Sequence, residues 1–198
     1  MRSAAFLLLV FALPALSAVP DERIAWLGPT RGMAHYRERF CGARAALNDA
    51  GGYFVTGMVV EGPSNEADEE TVDRFAELLA GRNRPTAVIC MWRQWAVAAA
   101  GAIRGAGLEV GKDVEIVAWA TEGEYREILA GEFLGGDVPA TMVWSPDEMA
   151  ELAIERLEKR ASMPKSPACR VDVRVRLVEP QKAEDVLRNS ARAAGRRA

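Results

Sequence analysis

Histidine is the scarcest reactive residue in this 198-residue chain: there is one, His35. A Ser-His-Asp triad would have to be built on it, no Ser or Cys stands near it at motif spacing, and a multi-histidine metal site is impossible. Its simplest reading is a solvent-facing or capping histidine. Cysteine is nearly as sparse. Cys41, Cys90 and Cys169 are far apart with no CxxC pair, which argues against a zinc knuckle or a thioredoxin-type redox site. Cys41 and Cys90 sit among apolar neighbours and read as small core residues. Phosphate-cradling loops are also missing. Gly28-Pro-Thr-Arg-Gly32 follows the first strand where a dinucleotide fingerprint would need Gly-x-Gly-x-x-Gly, and no Walker loop occurs. Large charge of either sign is absent too. A net charge of −3 gives no electrostatic case for nucleic acid as a partner.

What remains is an ordinary globular composition, 49% apolar and 27% charged, enough for one domain with a core of its own. The chain opens on a 15-residue apolar run, Ala4 to Ala18, after Met1-Arg2-Ser3, with Pro14 near its end and Ala15-Leu16-Ser17 as a small-x-small site. It fits a secretory signal or the buried first helix of a domain, and it is short for a membrane span of ~20 residues. The intact mass of the natively produced protein separates the two.

Strand-like and helix-like segments then alternate with short links. Arg23 to Gly28, Phe54 to Val60, Arg84 to Met91, Val114 to Trp119 and Thr141 to Trp144 read as strands, with one or two more in Arg170 to Val178. His35 to Ala50, Asp68 to Ala80, Gln94 to Ala106, Glu122 to Leu129 and Asp147 to Arg160 read as helices. The tail from Gln181 is weakly helical and basic. This alternation defines an α/β fold with a mostly parallel sheet flanked by helices.

Ligands of open α/β sheets sit beyond the carboxyl ends of the strands. Here those ends are Trp92-Arg93, Trp119-Ala120 and Trp144-Ser145, so three of the five tryptophans fall at the binding edge. Their flat faces suit a sugar or a planar ring, and Arg93 offers a charged donor. They equally suit capping the sheet against a helix. Glu61 and the pair Glu122/Glu124 have the chemistry of an acid and a base but read as solvated carboxylates. The composition and motifs point to a binder rather than an enzyme, with no cofactor.

Arg84-Pro-Thr-Ala-Val-Ile-Cys90, the helix ending Ala102-Ile-Arg-Gly-Ala-Gly-Leu108, and Val110-Gly-Lys-Asp-Val-Glu-Ile-Val-Ala-Trp119 occur in an order that resembles the LacI/GalR family of transcriptional regulators. The likeness is to the family's periplasmic-binding-protein-like effector domain. Arg23 to Pro29, Arg37 to Leu47, Thr141 to Pro146 and Met149 to Ala153 extend it over about residues 20 to 180. The resemblance implies a type I lobe of an incomplete two-lobed fold, a small effector in a cleft, and dimerisation with itself or with a full-length relative. It implies no direct DNA binding by this chain, because no helix-turn-helix precedes the matching region. Carried over residue by residue, Arg39 in Arg37-x-Arg39-x-x-Gly42 matches an effector-contacting arginine. Trp92 and Arg93 stand where the family has Asn-Asp, Ala120 where it has Asp, and Ser145 at a cleft position before Pro146. Trp119 supplies the aromatic beside Ala120.

Those replacements remove donors and acceptors suited to sugar hydroxyls, so the expected effector is flat or anionic, stacked on Trp92 or Trp119 and paired with Arg39 or Arg93. The expected organisation is an apolar segment at 1–18, an effector-binding lobe at 19–138, a segment at 139–165 that returns toward a second lobe, closing strands at 166–180 and a basic tail at 181–198. On this reading the chain is a cytoplasmic, ligand-sensing domain of a truncated LacI-type regulator. The alternative is an exported, periplasmic solute-binding protein of the same fold.

Overall fold

The computed structural model describes residues 23–55 and 57–194. The apolar run at Ala4 to Ala18 and the final arginines Arg196 and Arg197 lie outside them. Six strands form one sheet: β1 (Ile24–Leu27), β2 (Val59–Val60), β3 (Ala87–Cys90), β4 (Glu115–Thr121), β6 (Ala140–Trp144) and β7 (Val175–Val178). The order is β2-β1-β3-β4-β6-β7, parallel throughout except for β7, which runs antiparallel to β6. A small antiparallel pair, β5 (Asp137–Val138) with β8 (Gln181–Lys182), lies outside this sheet.

The central strands are apolar on both faces because both faces are covered. All four residues of β1 and of β3 are buried, as is Ile116 to Ala120 in β4. Helix α1 (Ala34–Asp49) lies over the face that carries Trp26, whose ring meets Phe40 edge-on at 5.1 Å. Helices α2 (Glu69–Ala80) and α3 (Arg93–Gly105) pack on each other. The stripe of α3 is Trp95, Ala96, Ala99, Ala100 and Ile103, four-residue periodicity with small side chains that let the helix approach the sheet closely.

Trp95 is completely buried and donates its indole N–H to the Ser64 carbonyl at 3.0 Å. Two glycines make room for it. A Cβ on Gly28 would sit 2.6 Å from the Met91 Cβ and 3.2 Å from the Trp95 ring, and Gly28 holds φ +123°; a Cβ on Gly62 would collide with the Trp95 ring outright.

After β4 the chain winds into a π-helical turn, π1 (Glu124–Leu129), continued by α4 (Ala130–Glu132), and buries Tyr125, Leu129 and Phe133. Helix α5 (Pro146–Ser162) follows β6, and α6 (Ala183–Ala194) follows β8.

Several sequence expectations need correction. The second strand shrinks from Phe54–Val60 to two residues, because Gly57 turns at φ +88° and the Met58 N–H closes back on the Val55 carbonyl. Cys90 is buried, but Cys41 is exposed, since it lies on the outer face of α1. Residues 140–144 do not leave the lobe: β6 is a central strand of the same sheet, held between β4 and β7. The chain leaves the sheet after Trp144 and enters α5. Nor is residue 181 the start of a free tail, since Ala183 and Val186 of α6 are buried in the core.

Candidate functional site

The sheet order places a topological switch between β1 and β3: the chain leaves β1 for an edge strand and returns on the other side. The ends of these strands meet Arg39, which α1 carries two turns in. Its Nη1 donates to the Met91 carbonyl at 3.2 Å, just beyond β3. Its guanidinium carbon lies 4.4 Å from the centre of the Trp92 ring and 4.5 Å from that of Trp119. One cation is thus sandwiched by two indoles, an arrangement that compensates part of the lost hydration. Burial holds the Arg39 pKa down to about 10, against the pull of Glu124. Even so, the group is fully protonated near neutral pH.

Arg93 is not an open donor. Its Nε donates to Glu124 Oε1 at 2.9 Å. The other oxygen of Glu124 accepts the Thr121 N–H at 3.0 Å, while the Glu124 N–H donates to the Thr121 hydroxyl at 3.2 Å. Thr121-x-x-Glu124 is a capping box at the start of the helical turn that leads into π1. Burial pushes the Glu124 carboxyl up, but the Thr121 N–H, Arg93 and the Thr121 hydroxyl outweigh it and leave its pKa below the ordinary range. Both Glu124 oxygens are engaged, so this carboxylate is not available as a base.

The other candidates separate. Ser145 uses its hydroxyl to cap α5, accepting the Glu148 N–H at 3.2 Å. Ala120 is sealed in β4 with no exposure and presents nothing to a ligand. Glu61 is closed by Thr30 and Arg31, at 2.8 and 2.9 Å. Glu122 pairs with Arg126 and Arg176. His35, one turn before Arg39, has its pKa lowered by burial and then by Arg39, against Glu38, which keeps it neutral near pH 7. Among the described residues, no group of three or more His, Cys, Asp or Glu is placed to hold a metal ion. A cleft of about 400 Å³ at the start of α2, lined by Ala67, Asp68, Glu69, Val72, Asp73 and Ala98, includes none of the strand-end residues.

Three of the sequence-derived residues therefore come together: Arg39, Trp92 and Trp119. Arg93 adjoins them through Glu124, while Ser145 and Ala120 serve the fold. One group the residue reading set aside as solvated proves structural: Glu124, whose signal was the Thr-x-x-Glu spacing.

A mostly parallel sheet that reverses its strand order between β1 and β3 is the architecture of an open α/β lobe. The comparisons agree. Residues 22–181 match the family model described as a periplasmic binding protein-like domain. The chain belongs to the periplasmic binding protein-like domain family, and its fold is that of the LacI-family regulators. A LacI-family regulatory protein from Chloroflexus aggregans superposes with a TM-score of 0.73 at 19% identity, over 90% of this chain and 61% of that one. A LacI transcriptional regulator from Bacillus cereus subsp. cytotoxis NVH 391-98 gives 0.72 at 19%, over 91% and 61%. The cellobiose complex of the regulator CelR gives 0.70 at 18%, over 91% and 52%. The chain therefore spans about three fifths of the length of the first two. No curated protein matches it. No helix among the described residues is long and apolar enough to cross a membrane.

Proposed function

We propose that this chain is a ligand-sensing domain of the LacI/GalR type, whose small-molecule effector binds at the carboxyl edge of β1, β3 and β4 around Arg39. The observation that carries this reading is the placement of a charged, partly buried guanidinium at the sheet's switch point, with no ion-pair partner among the described residues. A structural arginine at that depth would be matched by a carboxylate. The carboxylate whose field reaches it, Glu124, is already bound to Arg93. The periplasmic-binding-protein-like family and a structure of CelR in complex with cellobiose support a small-molecule ligand. Dimerisation, as in the lac repressor dimer, is part of the proposal.

The test is a titration of the full chain, followed by intrinsic tryptophan fluorescence, against neutral sugars, nucleosides and small organic acids. Trp92 and Trp119 flank the site, so a bound effector changes their emission. A saturable change that disappears in Arg39→Met supports the reading. Flat titrations across all three classes overturn it.

A further inference from the structure

Three groups at the strand ends are pure hydrogen-bond donors. Besides Arg39 there are two indole N–H groups without a partner, those of Trp119 and Trp144. Trp119 is 3% exposed, so its unsatisfied N–H is a cost the fold carries in the free state. Register places the two tryptophans on one face of the sheet. Trp119 pairs with Met142 and Thr121 with Trp144 across the β4–β6 ladder, so Trp144 stands one strand over and two residues along from Trp119, on the same face of the sheet. Arg39 rests on that face, against the Trp119 ring. An indole N–H can donate and never accept, and a guanidinium likewise. The nearby carboxylate, Glu124, is spent on Arg93 and Thr121. A sugar hydroxyl or a nucleobase amino group brings a proton that needs an acceptor, and neither a guanidinium nor an indole N–H is one.

Resting on the ligand-sensing reading above, we propose that the effector is a small organic carboxylate, whose two oxygens take N–H groups from Arg39 and from Trp119 and Trp144. The stacking also fixes the approach. Because Arg39 lies between Trp92 and Trp119, the indole faces turned toward it are filled by the cation. The carboxylate therefore meets the guanidinium edge-on, where a planar fork matches a planar acceptor pair. The ring of an aromatic ligand does not stack between these tryptophans, which departs from the sequence expectation of a stacked planar ligand.

The experiment titrates the full chain with benzoate, with benzamide as its uncharged, nearly isosteric counterpart, and with inorganic phosphate, glucose and adenosine, using calorimetry and tryptophan fluorescence. Benzoate is expected to bind saturably, at least tenfold tighter than benzamide and tighter than phosphate. Arg39→Met abolishes that binding, and Arg39→Lys, which keeps the charge and loses the fork, weakens it at least tenfold. Trp119→Phe and Trp144→Phe, which keep an aromatic ring and delete the N–H, each weaken benzoate about three- to tenfold; circular dichroism and thermal melts confirm that each variant is folded. Equal affinity for benzoate and benzamide, tighter binding of phosphate, or unchanged benzoate affinity in both Trp→Phe variants overturns the assignment. Binding of glucose or adenosine without benzoate sinks the carboxylate while leaving ligand sensing intact. Silence across every probe sinks both.

Discussion

The strand-end corner around Arg39 and the helix α5 place opposite kinds of side chain where each is out of keeping. At the corner, a charge is held among aromatic rings. On α5, apolar side chains face water: none of its residues is buried, and Met149, Ile154 and Leu157 are 45%, 57% and 69% exposed. Leu152 is only partly covered, and Ala153 is exposed. The corner is closed by partners from α1, β3 and β4. The helix is secured mainly at its start, where Ser145 caps it and Pro146 occupies the first turn. Local signals suffice to make a helix; burying its face needs surroundings that the described residues do not supply.

Substitutions widen or close that contrast. The largest effect is expected beneath the corner. Trp95→Ala deletes a fully buried ring packed against Gly28 and Gly62, and should cost roughly 3–5 kcal/mol in chemical denaturation. Glu124→Ala removes both the capping box and the Arg93 partner and should cost about 1–2 kcal/mol. Its acid limb is a sharper readout. The folded pKa of Glu124 lies below the ordinary value, so its stabilisation is present above about pH 4.3 and is lost as pH falls through the lowered value. Wild-type melting temperature should therefore drop more steeply below that point than that of Glu124→Gln; parallel acid limbs would show that the carboxylate is unimportant.

Arg39→Met is expected to be nearly neutral. The depression of the Arg39 pKa to about 10 corresponds to a desolvation cost on the order of 3 kcal/mol. The two cation–π contacts return roughly 1–2 kcal/mol each, and methionine fills the same slot. Denaturation should find the variant within about 1 kcal/mol of the parent, whereas a loss above 3 kcal/mol would make Arg39 a structural residue. Smallest of all is Leu157→Ser on α5, expected to move stability by less than about 0.5 kcal/mol while reducing binding of an apolar dye.

The order of strands and helices was legible because buried parallel strands read as unbroken apolar runs and their helices as spaced stripes. Element ends were less so. Gly57 cuts the second strand by its backbone angle, which residue type does not announce. Arg39 was singled out by family resemblance, and Trp92 and Trp119 by their strand-end positions. That the arginine would lie between the tryptophans was not legible. Positions 39, 92 and 119 meet only once β1, β3 and β4 are known to be neighbours. The same gap explains Arg93 and Glu124: each was read as a free charge, and 31 positions separate two halves of one ion pair. Cys41 shows the limit at a single residue, since apolar neighbours in sequence do not say which side of a helix faces out.

The antiparallel pairing of β6 with β7 has a consequence for chain connectivity. Trp144 is opposite Val175, so these strands form a hairpin whose loop is roughly 30 residues long and includes the whole of α5. Closing a loop of that length costs about 3 kcal/mol of chain entropy, to be recovered by a four-residue edge strand and by α6 beyond it. The β7–α6 segment is therefore expected to open before the central strands of the sheet. Its amides should exchange with solvent well before those of β1, β3 and β4.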